Sequence, residues 1–213
     1  MSKCDACGSS KTCRYHGESK FYHKDDGTPV IALLGQPNSG KSTIFNLITG
    51  SHQHVGNWPG KTVDQKEGEF KWNGQKMILA DLPGSYSLSA GSDEEVITRE
   101  YISAGNADLI LVMADASQLK RSLYMLADFA GAKVPAILVL NMMDVAEGQG
   151  IRIDTDKLSE KLGIPVVPMS AIRKKDYRKL YETIEDGLES KRMIAHAKMD
   201  TVTEKMEYID ALL

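Results

Sequence analysis

No stretch of this chain stays apolar for long. The longest such runs, Leu109 to Ala114 and Pro135 to Leu140, are strand-sized, far short of the roughly 20 residues a helix needs to cross a bilayer. The first 26 residues are polar and have no apolar segment of the kind a secretory leader carries. Basic excess is missing too, since 26 Lys and Arg stand against 29 Asp and Glu for a net charge of −3. With the two signs well mixed, no nucleic-acid partner is expected. Beyond Cys13 there is no cysteine, so no disulfide holds the body of the chain, and 213 residues suffice to bury a core unaided. These absences describe a soluble, cytoplasmic polypeptide of one ordinary domain with extensions.

What is present begins with one loop. Gly35-Gln36-Pro37-Asn38-Ser39-Gly40-Lys41-Ser42 fits the G-x-x-x-x-G-K-[ST] phosphate-binding pattern at every fixed position. Val30 to Leu34 before it reads as a buried parallel strand, and Ser42 to Ile48 after it as a helix closed by Gly50. The glycines let successive N–H groups turn inward toward phosphate oxygens, and the helix that starts near Lys41 adds its positive end. Lys41 supplies a mobile cation, the Ser42 hydroxyl suits magnesium, and Thr43 continues the cradle.

Along the chain, residues 1–28 form a polar appendage with Cys4-x2-Cys7-x5-Cys13-x2-His16. Two readings stay open: a zinc or ferrous site of three thiolates and an imidazole, or a tail with free thiols. Ordering the segment would cost on the order of 10–20 kcal/mol, comparable to the roughly 10–16 kcal/mol that a structural zinc supplies. Ser51 to Asp64 is rich in His, Gly, Asn and Pro and reads as irregular. Within it Gly60, Lys61 and Thr62 suit a switch segment, with Thr62 giving magnesium a second hydroxyl. Trp58 divides evenly between local packing and function.

Glu67 to Trp72 and Lys76 to Ala80, joined by Asn73-Gly74, form a hairpin. It runs into Asp81-Leu82-Pro83-Gly84, where a carboxylate at a strand end suits a magnesium-bound water and the Gly84 N–H a γ-phosphate. A helix from Asp93 to Ile102, a strand from Asp108 to Asp115 and a helix from Leu119 to Ala130 follow. The strand Pro135 to Leu140 delivers Asn141-Met142-Met143-Asp144. A carboxylate at Asp144 can accept from the N1–H and exocyclic amine of guanine, a pair adenine does not present; Asn141 would brace the neighbouring loops. After a helix from Thr155 to Leu162 and the strand Val166 to Pro168, the N–H groups of Ser170-Ala171 suit the guanine carbonyl. Lys179 to Leu213 reads as helical with a break near Gly187, its apolar stripe of Ile194, Val202, Met206, Ile209 and Leu213 suited to packing on its own domain.

These elements place the chain among the P-loop small GTPases, and the finer wording is narrower. Gly-x-Pro-Asn-Ser-Gly-Lys-Ser, Val55-Gly56-Asn57-Trp58-Pro59-Gly60 before Thr62, and Asp81-Leu82-Pro83-Gly84-Ser85-Tyr86-Ser87-Leu88 closely resemble the cytosolic G domain of the ferrous-iron transport protein B (FeoB) family. The resemblance implies a Ras-like α/β fold: a mostly parallel six-stranded sheet with one antiparallel strand and helices on both faces. It divides the chain into the appendage, a G domain over 29–190, and a C-terminal helical segment over 191–213 that begins a further helical domain.

It further implies slow GTP hydrolysis coupled to Fe(II) uptake, with Mg2+ on Ser42, Thr62 and Asp81, potassium activation through Asn38, and Lys41, Thr62, Asn38 and Gly84 as the catalytic group. Ser85 stands where Ras-like proteins have a water-positioning Gln, so a monovalent cation beside the phosphates would supply the charge an arginine finger supplies elsewhere. Met142 stands where many GTPases have a Lys over the base, which implies modest guanine affinity and fast exchange. Members continue into a transmembrane permease, so the expected partners are that portion, in cis or in trans, at the cytoplasmic face of a membrane, and a second copy. The chain is then either a fragment or a stand-alone G protein. A ribosome or tRNA-modification GTPase and a metal-sensing docking module are the alternatives.

Overall fold

The computed structural model describes residues 27–58, 62–84, 91–173, 176–196 and 198–213. Seven strands form one sheet: β1 (Val30–Gly35), β2 (Gln53–Asn57), β3 (Asp64–Trp72), β4 (Gln75–Asp81), β5 (Leu109–Asp115), β6 (Ala136–Asn141) and β7 (Val166–Pro168), in the order β2-β3-β4-β1-β5-β6-β7. β1 pairs in parallel with β4 and β5, and β6 in parallel with β5 and β7. β3 runs antiparallel to both β4 and β2, so it alone opposes the common direction.

The expected six strands become seven because Gln53–Asn57 is not irregular. It pairs through its backbone with β3 from Gln53↔Gly68 to Asn57↔Asp64. As an edge strand it buries little, and Val55 is 65% exposed.

The central strands are buried on both faces, so they read as continuous apolar runs. On β1, Val30, Ala32 and Leu34 join one core while Ile31 and Leu33 join the other. The first core packs under α2 (Asp93–Ser103), α3 (Leu119–Asp128), α5 (Thr155–Leu162) and α7 (Val202–Leu212). The second packs under α1 (Lys41–Thr49) and α6 (Asp176–Ser190). A short helix, α4 (Met143–Gly148), follows β6 and was not expected.

Helix ends follow local chemistry. Ser92 caps α2 through the Glu95 N–H, Asp154 caps α5 through Lys157, and Thr201 with Glu204 forms a capping box on α7. α6 differs from expectation, running unbroken through Gly187, which is buried against Leu109 and Ile137. A side chain would crowd there, so the glycine serves packing rather than a break. Residues 191–196 and 198–201 are not helical either. Ile194 and Met199 reach the core from non-helical backbone and Tyr208, Ile209 and Leu212 do so from α7, whereas Val202, Met206 and Leu213 of the expected stripe are exposed.

Candidate functional site

The ends of β1 and β4 and the start of α1 enclose a cleft of about 850 Å3. Of the phosphate loop, Gln36, Pro37, Asn38, Gly40, Lys41, Ser42 and Thr43 line it. Thr62 closes it from the loop after β2, Asp81 to Gly84 from the end of β4, and Met142 from the end of β6. The loop holds its shape through two glycines. Gly40 has φ +88°, the left-handed region, and a Cβ there would sit 2.1 Å from Asn141 Nδ2. Gly35 has ordinary dihedrals but no room, as a Cβ would lie 2.7 Å from both Met113 Cβ and Ser39 Oγ. Asn38 is also left-handed at φ +68° and exposed at the rim.

Lys41 and Asp81 meet in the cleft. The Lys41 ammonium donates to Asp81 Oδ1 and, at 2.8 Å, to the Leu82 carbonyl, with both charged side chains largely buried. Ser42, Thr62 and Asp81 thus share one cleft. Two hydroxyls and a carboxylate are hard oxygen donors, which fits magnesium. Gly84 lies against the phosphate loop, with Gly35 O and Pro37 about 3.6 Å from its Cβ direction.

A second group of residues, beyond Met142, is tied to the first. Asn141, 2% exposed, donates through Nδ2 to the Ser39 carbonyl at 2.9 Å and accepts at Oδ1 from the Ala171 N–H at 2.9 Å. The expected bracing role of Asn141 is therefore visible as geometry: one amide joins the loops at 39 and 171. Ser170 Oγ donates to Asp144 Oδ1 at 2.6 Å. That bond, helped by N–H groups at the start of α4 and by the Arg173 charge, holds the Asp144 carboxyl below the usual carboxylate range. Asp144 therefore stands as an acceptor. Met142 has φ +62° at the start of α4, which turns its side chain toward Gly40.

Not every expected residue faces the cleft. Ser39 is 2% exposed and points behind the loop toward Gly35. Gly60, Lys61, Ser85 and the group Cys4, Cys7, Cys13 and His16 lie outside the described residues. Trp58 packs edge-on against Tyr101 of α2, ring centroids 5.4 Å apart, while its buried indole N–H has no hydrogen-bond partner among the described residues. Three features went unread in the sequence. Gln36 donates to the Arg121 carbonyl of α3 at 2.9 Å, and Lys66 and Glu94 line the cleft. Lys66 lies four residues past Thr62 near the start of β3, and the β3–β4 register rather than any short motif brings it to the cleft. Among the described residues no cluster of three His, Cys, Asp or Glu side chains is arranged around a metal, and no helix is long and apolar enough to cross a membrane.

The sequence profile described as ferrous iron transport protein B matches residues 29–184. The chain belongs to that family. It is 48% identical over 148 residues to the Fe(2+) transporter FeoB of Escherichia coli K12, covering 68% of this chain and 19% of the relative, and the FeoB of Salmonella typhimurium matches equally well. The chain thus spans about a fifth of the length of these curated relatives.

Among solved FeoB structures, the cytosolic domain from T. maritima in a GDP form superposes with a TM-score of 0.76 at 38% identity, covering 81% of this chain and 68% of that one. Its GMPPNP form gives 0.73 at 38%, covering 81% and 67%. A mutant S. thermophilus NFeoB bound to GDP gives 0.70 at 45%, covering 73% and 61%. The chain therefore has the fold of a FeoB G domain.

Proposed function

We propose that this chain binds GTP and GDP with magnesium and hydrolyses GTP slowly, in the service of ferrous-iron import by a FeoB-type permease joined in cis or in trans at the cytoplasmic face of a membrane. The observation that carries the reading is the placement of Lys41, Ser42, Thr62, Asp81 and Gly84 around one cleft that meets Met142 of the Asn141–Asp144 loop. A triphosphate laid along it has its phosphates at Lys41 and its base at Asp144.

Each residue then has a task. Backbone N–H groups of the phosphate loop and the start of α1 hold the β-phosphate, while Lys41 exchanges Asp81 for phosphate oxygens. Ser42, Thr62 and Asp81 would hold magnesium, whose charge would offset that of the β- and γ-phosphates. The Gly84 N–H would hold the γ-phosphate. Asp144 accepts from the guanine edge, with Ser170-Ala171 on its carbonyl side.

Asn38, exposed on the rim beside the phosphates, is the residue we assign to potassium. A cation there places positive charge where an arginine finger acts in other GTPases. Phosphate release measured with saturating GTP and magnesium should be faster in potassium than in sodium, and Asn38→Ala should erase the difference. A difference that survives in Asn38→Ala removes Asn38 from the cation site; no phosphate release in either salt removes the hydrolytic reading altogether.

A further inference from the structure

Strand β3 places a second cation at the phosphate end of the cleft. Lys66 is register-paired with Asp81 across the β3–β4 ladder, and directly opposed residues on neighbouring strands project from the same face of the sheet. Lys66 therefore emerges beside the carboxylate expected to serve magnesium. That carboxylate is already engaged by Lys41. Lys66 makes no ion pair or side-chain hydrogen bond among the described residues, yet it is half-buried and lines the cleft together with Thr62, Gly84 and Glu94. All three neighbours belong to the end remote from Asp144.

An ammonium withdrawn from bulk water without a partner favours an anion placed within its reach. The charge balance of the site says which one. A nucleoside triphosphate carries about one more negative charge than a diphosphate, and Lys41 with a divalent ion can offset the diphosphate alone. The added charge arrives at the end of the cleft where Lys66 stands.

We propose that Lys66 is a second phosphate-binding cation of this site, one that contacts the γ-phosphate and so favours triphosphate over diphosphate. The proposal rests on the GTPase reading and adds to it a source of discrimination on the strand that leaves the switch segment. Arg at this position keeps the charge and Gln removes it, while Met keeps the aliphatic stem and its packing.

The test compares equilibrium affinities of fluorescent GDP and of a fluorescent non-hydrolysable GTP analogue, both with magnesium. Lys66→Gln and Lys66→Met should each weaken the analogue about tenfold, the effect of one lost charge-assisted contact, and GDP less than about twofold. Lys66→Arg should restore most of the analogue affinity. Retained GDP affinity reports a folded site in the same preparation. Equal weakening of both nucleotides, or no weakening of either, overturns the proposal while leaving the GTPase reading intact. Failure of the parent protein to bind GDP overturns the GTPase reading itself.

Discussion

Asp144 shows how much a single residue's setting matters. Its carboxylate accepts from Ser170 Oγ at 2.6 Å and sits at the start of α4, and both favour the charged form. The sign follows directly. A carboxyl whose folded pKa is lowered keeps its acceptor form until the pH falls through that lowered value, so guanine recognition should persist into mildly acidic solution. Asp144→Asn replaces one acceptor by a donor, which suits the oxygen that xanthine carries in place of the guanine amine. Competition binding should show the variant preferring xanthosine nucleotides; unchanged GTP affinity would remove Asp144 from the base site. Residues of this kind were legible in the sequence because their chemistry is local. Lys41, Asp81 and Asp144 sit at fixed offsets within short motifs. Lys66 was not, because its place beside Asp81 depends on a register between strands that no short motif encodes.

At the scale of elements, α1 is fitted to β3 by a glycine. A Cβ at Gly68 would lie 2.4 Å from Thr49 Cγ2 and 2.6 Å from Thr49 Cβ, so the helix that starts at the phosphate loop rests on a strand with no side chain at that point. Gly68→Ala should destabilise by about 1–3 kcal/mol through overpacking, with Tm falling by roughly 2–4 °C for each kcal/mol. Adding Thr49→Ser removes the obstructing methyl and should return part of the loss in a double-mutant cycle; independent, additive losses would show that the contact is not the cause. The strongly apolar strands and the capped helices were readable because period and caps are sequence properties. β2 was not, since Gln53–Asn57 is held by backbone pairing along the sheet edge and buries no consistent face. Gly187 misled for a related reason: a glycine in a helix marks either an end or a close approach, and only its neighbours Leu109 and Ile137 decide between them.

At the scale of the whole molecule, the mostly parallel sheet with one reversed strand followed from the resemblance that the motifs carry, whereas the packing of α7 against α3 and α5 did not. Ile194, Met199, Ile209 and Leu212 pack into the first core. Lys205 pairs with Asp128 of α3, their side chains 6% and 2% exposed, and Lys161 of α5 donates to the Ala211 and Leu212 carbonyls at the end of α7. Lys205→Met removes the ammonium that pairs with the buried Asp128 carboxylate and should cost about 3–5 kcal/mol, most of it recovered by adding Asp128→Leu. Chemical denaturation of the two variants checks this, and a mild effect of the single change would show that other groups or water hold Asp128. The pair also determines how the last helix leaves the domain. Peeling α7 away breaks this buried ion pair, so partial detachment is costly and α7 joins the cooperative unit of α3. In hydrogen exchange its central amides should open only with global unfolding, not by local fraying.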